Sequence, residues 1–102
     1  MAKILVCGSS ELQEGNMRGF ESNGHKLLIA RIAGKVYAMN GICKHQGGRL
    51  YDGELSGKSV TCPLHGSVWD VTTGILIDFY DNLPNEEMYP VVEENGSIFL
   101  EL

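Results

Sequence analysis

A chain of 102 residues, 43% of them apolar, is the size of one domain and can pack a single core without disulfide staples. Its formal charge of −5 and pI near 5.0 argue against a nucleic-acid partner, whose footprint is a basic face. No apolar run approaches the ~20 residues that span a bilayer, and the short apolar N-terminus reads as a first strand rather than a signal peptide. The expectation is a cytoplasmic protein that contacts no membrane.

In chain order, residues 3–7 form a short apolar strand, and Ser9-Ser10-Glu11-Leu12 caps at most one helical turn before Gly15 stops it. Residues 17–39 read as a three-stranded meander. Its first turn is Asn23-Gly24, a pair suited to the two positive φ angles of a type I′ hairpin, and its second is Ala33-Gly34. Residues 40–75 are dense in glycine, with strand signals only at 58–61 and 67–71, so this stretch needs something other than packing to hold it. Residues 76–87 read as an irregular connection. A closing hairpin follows, 88–94 and 97–102 around Asn95-Gly96, with Pro90 marking an edge or a strand start. The whole is all-β, one domain over 1–102, with a base of 1–39 and 76–102 and a glycine-rich insertion at about 40–75.

Charge is unevenly placed. Beyond Lys58 there is no Lys or Arg, yet Asp70, Asp78, Asp81, Glu86, Glu87, Glu93, Glu94 and Glu101 follow. This reads either as solubility or as steering toward a basic partner.

The chemistry lies in two glycine-bearing loops. Cys43-Lys44-His45 is followed, sixteen residues later, by Cys62-Pro63-Leu64-His65. Two thiolates and two imidazoles suit either a structural zinc ion or an iron–sulfur cluster. Zinc sites usually pair cysteine with cysteine and histidine with histidine. Here each loop is mixed, as two similar loops would be if each gave its Cys to one iron and its His to another. The third cysteine, Cys7, ends an apolar run and reads as a small buried hydrophobe. His25 follows a turn and reads as an exposed residue.

The segments Cys43-Lys44-His45-Gln46-Gly47-Gly48 and Cys62-Pro63-Leu64-His65-Gly66-Ser67-Val68-Trp69-Asp70 resemble the Rieske ferredoxin family. Leu50-Tyr51-Asp52-Gly53-Glu54, Thr73-Gly74 and the strand Lys35-Val36-Tyr37-Ala38-Met39 extend the likeness. The resemblance implies an antiparallel β-sandwich base with a small inserted cluster-binding subdomain, and a Rieske-type [2Fe–2S] cluster as cofactor. Cys43 and Cys62 would bind the inner iron, and His45 and His65 the outer one. It also implies a soluble one-electron carrier, a monomer when free, that catalyses nothing itself and passes electrons from a reductase to an oxygenase or another redox enzyme. A small subunit of a larger complex such as a nitrite reductase, and a structural zinc module, are the alternatives.

Two departures qualify the likeness. Quinol-oxidising members join the loops by a disulfide at positions that are Gly48 and Leu64 here, which favours a ferredoxin. High-potential members place a Ser and a Tyr hydroxyl near the sulfurs; here the residues are Ser67 and Trp69. One hydroxyl fewer implies a potential in the lower half of the Rieske range of about −150 to +300 mV. Trp69 reads equally as a shield or as core. Asp70 reads as a brace for the second loop or as solvated. Lys44, Arg49 and Lys58 read as a less acidic tip or as plain surface, and Tyr80 with Leu83-Pro84 as a cover or as ordinary loop packing.

Overall fold

The computed structural model describes residues 3–44, 47–64, 66–80 and 82–101. The chain forms eleven strands among these residues: β1 (Lys3–Gly8), β2 (Met17–Ser22), β3 (His25–Ile32), β4 (Lys35–Asn40), β5 (Glu54–Ser56), β6 (Ser59–Thr61), β7 (Val68–Asp70), β8 (Leu76–Asp78), β9 (Met88–Tyr89), β10 (Val91–Glu94) and β11 (Ser97–Glu101). Single 3₁₀ turns occupy Ser9–Glu11 and Leu50–Asp52. All pairings are antiparallel, in three sheets ordered β1-β11-β10, β2-β3-β4-β9 and β5-β6-β7-β8.

The middle sheet explains the longest apolar run. A strand with one wet face alternates, whereas a strand covered on both faces reads as continuous apolar sequence. Leu27, Leu28, Ile29 and Ala30 of β3 are all fully buried. Leu27 and Ile29 join a core with Cys7, Leu12, Val36, Ala38, Ile98 and Leu100, under the β1-β11-β10 sheet. Leu28 and Ala30 point the other way, into a second core with Met39, Cys43, Leu50, Val60, Cys62, Trp69 and Val71. The second core holds two of the three cysteines. Cys7 lies in the first core as a buried apolar residue.

The meander forms as its turn residues require. Asn23-Gly24 and Asn95-Gly96 adopt the expected positive φ pairs, 51° with 80° and 53° with 75°. Ala33 also sits at φ 53°, which costs an alanine about 1 kcal/mol or more. Glu14 supports it from outside the hairpin, its two carboxylate oxygens accepting the Ala33 and Gly34 N–H groups at 2.6 Å each.

The C-terminal region departs from the sequence expectation. A single strand over 88–94 is replaced by two. β9 pairs with β4 in the middle sheet, and β10 pairs with β11 in another. Pro90 stands between them. It has no N–H for a ladder, while its carbonyl still accepts from Glu101 N–H at 2.9 Å, so the chain changes sheets there. Two short strands also escape the sequence reading: β5, and β8 inside the expected connection 76–87. Three-residue strands carry too little alternation to stand out from loops.

Gly53 seals the start of the third sheet. A Cβ there would lie 1.9 Å from the Thr61 carbonyl oxygen, a backbone atom that cannot move without breaking the β5–β6 pairing. Gly53→Ala is expected to cost about 2–4 kcal/mol, read as a lowered urea midpoint. An unchanged midpoint would show that this turn yields more easily than its contacts indicate.

Candidate metal centre

Both ligand loops project from the second core and repeat one backbone pattern. In the first, Cys43 N–H donates to Gly48 O at 2.7 Å, and Gly47 N–H donates back to Cys43 O at 3.1 Å. In the second, Cys62 N–H donates to Ser67 O at 2.8 Å, and Gly66 N–H donates back to Cys62 O at 3.1 Å. The spacings, i to i+5 and i+4 to i, are identical. Gly47 and Gly66 hold the same left-handed corner, at φ 73° and 76°, which a side chain would strain. Two unrelated stretches of sequence thus build the same cradle twice, each presenting one cysteine.

Cys43 and Cys62 are each 3% exposed, and neither is in a disulfide. The loops meet face to face: a Cβ on Gly48 would lie 2.9 Å from Cys62 Sγ and 3.0 Å from Leu64 Cδ1. The two positions singled out for their lack of a disulfide are therefore neighbours across the loops. Leu64 is 55% exposed, an apolar side chain at the surface beside Cys62. His45 and His65 lie outside the described residues. Paired buried thiols on matching, glycine-cornered loops are soft donors that could hold an iron ion of an iron–sulfur cluster.

Ser67 crosses from the second loop to the first. Its hydroxyl lies 3.3 Å from Cys43 Sγ and accepts the indole N–H of Trp69 at 3.0 Å. The indole occupies one oxygen lone pair, which leaves the hydroxyl proton free to donate to a deprotonated Cys43 sulfur. Trp69, fully buried, is both core and support for Ser67; it supplies its donor to the serine rather than to a cysteine. A hydrogen bond to a ligating sulfur favours the more negative, reduced state. Ser67→Ala is expected to disfavour reduction about tenfold, ~59 mV for one electron, measured by spectroelectrochemistry. No fall in potential would mean that the hydroxyl proton points elsewhere.

Other residues resolve as follows. Asp70 braces the turn after β7 rather than the second ligand loop, accepting from Thr72 N–H at 2.8 Å and Thr72 Oγ1 at 2.6 Å. Burial works to raise its carboxyl, but those bonds and the Lys58 charge more than offset it, and the net shift is downward. Lys44 pairs with Glu87 at 2.6 Å, and Lys58 lies 3.6 Å from Asp70, so neither leaves a bare positive charge near the loops. Leu83 packs against the core that holds both cysteines, whereas Tyr80 is 79% exposed. His25, exposed at the start of β3, sets its ring edge-on to Tyr89, 6.0 Å between centroids.

The sequence gives no signal for Glu86. It stands in an acidic tail, yet it is 3% exposed, accepting from Asn40 Nδ2 at 2.8 Å and from Lys44 N–H at 2.9 Å. Burial pushes its carboxyl up to about 7, although both hydrogen bonds and the Lys44 charge pull the other way.

Comparison with known proteins agrees with this geometry. Residues 2–90 match the family described as Rieske [2Fe-2S] domain. The ferredoxin component of the naphthalene 1,2-dioxygenase system of Pseudomonas putida is 33% identical over 99 residues, 97% of this chain and 94% of the relative. The ferredoxin of carbazole 1,9a-dioxygenase from Nocardioides aromaticivorans IC177 superposes with a TM-score of 0.90 at 25% identity, covering 98% of this chain and 97% of that one. A chain from a complex of reduced oxygenase and oxidized ferredoxin in carbazole 1,9a-dioxygenase superposes with a TM-score of 0.89 at 26% identity, over 96% and 91%. Matching cysteine cradles and a family match across most of the length lead to one conclusion: the chain belongs to the Rieske [2Fe–2S] domain family, and its cofactor is a Rieske-type [2Fe–2S] cluster.

Proposed function

We propose that this chain is the ferredoxin of a multicomponent dioxygenase system, passing single electrons from a reductase to an oxygenase. The observation that carries the reading is the repeated cradle of Cys43 and Cys62, in a chain of ferredoxin length that aligns end to end with dioxygenase ferredoxins. The cluster supplies one-electron redox chemistry when bound. Cys43 and Cys62 would hold one iron of the cluster, and His45 and His65 the other. Residues 40–75, completed by β8, form the cluster-binding unit, and the other two sheets form its base. Among the described residues no helix is long and apolar enough to cross a membrane, and a cytoplasmic location suits the reading.

The protein's own residues prepare the transfer. Gly47, Gly48 and Gly66 let the loops close around the thiols, and Leu50, Val60 and Trp69 exclude water from behind them. Leu64 gives the open face an apolar contact, so a partner can dry the gap between the two centres. Charge changes little: the two thiolates cancel the +2 of a diferric core, so the −5 of the chain becomes −6 on reduction, and one docking face can serve donor and acceptor.

The test is reconstitution with the reductase and oxygenase of the naphthalene 1,2-dioxygenase system. The chain is expected to restore reductase-driven turnover in the absence of the native ferredoxin. A cluster-loaded chain that accepts electrons from no such reductase would overturn the dioxygenase assignment.

A further inference from the structure

Glu86 is a buried acid that the electron-carrier reading does not use. Burying a carboxylate costs several kcal/mol unless it is well partnered, and an apolar residue of similar size is often the better filler. This one is partnered on all sides. Its main-chain N–H donates to Gly74 O at 2.8 Å, one carboxylate oxygen accepts from the Asn40 amide at 2.8 Å, and the other accepts from Lys44 N–H at 2.9 Å. Asn40 closes β4, and its own N–H donates to Glu87 O at 2.8 Å. A Cβ on Gly74 would lie 2.2 Å from Glu86 O, so no slack remains on that side. One carboxylate therefore ties together the end of β4, the segment before β9, and the peptide bond that follows Cys43.

That peptide lies between two of the proposed ligands, Cys43 and His45. The charged groups facing Glu86 are Lys44 and Glu87, and these two satisfy each other in an ion pair at 2.6 Å. The Glu86 charge is thus neither cancelled by a dedicated cation nor screened by solvent. A negative charge in such surroundings acts on a neighbouring redox centre far more strongly than the exposed acids of this chain do.

We propose that Glu86 is a positioning residue for the metal centre that also sets its electron affinity: its carboxylate fixes the Cys43–Lys44 peptide and opposes reduction by placing negative charge beside the first ligand loop. This rests on the assignment of Cys43, His45, Cys62 and His65 as ligands.

The test is spectroelectrochemical titration of the cluster-loaded wild type, Glu86→Gln and Glu86→Met at pH 8. Both variants remove the charge; Gln keeps the shape and hydrogen-bonding capacity, and Met keeps the volume and carries the test if Gln does not accumulate. Both are expected to be reduced more readily than wild type, by about tenfold, ~59 mV for one electron. An unchanged potential in a variant with an intact cluster spectrum overturns the proposal. So does a shift in Met without one in Gln, which would be a structural effect. A wild type without a Rieske spectrum overturns the ligand assignment itself, and the proposal with it.

Discussion

Cys62→Ser is expected to bind less than about a tenth of the wild-type iron and to lose the folded state of residues 40–78. The third sheet is built from strands of three residues each, β5 to β8, the short end of the usual strand range. Its core is the one that contains Cys43 and Cys62, both loops turn on left-handed glycines, and every ordered glycine costs extra backbone entropy. Metal binding there is folding free energy, as it is in small metal-dependent domains. Serine replaces a soft thiolate with a weak hydroxyl donor, so the cross-link between the loops is lost. Trp69 is the one tryptophan and is fully buried against that core. Its emission is expected to shift to the red in the variant, while the hairpins of the other two sheets keep their far-UV signal. A Cys62→Ser protein with normal iron and a blue Trp69 would show that the sulfur is neither a ligand nor a staple.

Raising the pH from about 4.5 to about 8 is expected to weaken the fold through Glu86 by up to about 3 kcal/mol. The folded carboxyl titrates near 7 and the unfolded one near 4.5. Between those values the native state holds the extra proton, so stability falls as pH rises, and the loss is complete above 7. Glu87, Glu93 and Asp70 have the opposite sign. Their folded values are lowered, the first two chiefly by hydrogen bonds from Lys44 and Arg31, so what they contribute is present above the unfolded carboxylate range and lost as pH falls through the folded one. Stability should therefore peak near pH 5. Urea titrations across pH 4–8 check this: the wild-type midpoint should fall between pH 5 and 7, and Glu86→Met should be flat there. A flat wild-type profile would mean that Glu86 is solvated or already neutral.

The sequence carried the parts of this fold whose physics is local. Asn23-Gly24 and Asn95-Gly96 fix hairpins because both residues of each pair accept positive φ, and the mixed Cys–His pairs marked the two loops. Pro90 was legible as a strand start, but not as the point where the chain passes from one sheet to another, since that depends on which edges β4 and β11 leave open. β5 and β8 were too short to show a period. Trp69 was legible as a residue with no hydroxyl, yet its indole N–H acts on the centre through Ser67, a relation that only the fold creates. Glu86 was invisible for a similar reason. Among neighbouring acids nothing distinguishes the one that turns inward, because its partners, Asn40 and Lys44, are more than forty positions away.

Iron, acid-labile sulfide and zinc measured together on freshly purified protein, with the EPR spectrum after dithionite reduction, decide whether the two loops carry a Rieske cluster. Two irons and two sulfides per chain with a Rieske-type signal are predicted. One zinc, no sulfide and a silent spectrum would contradict it.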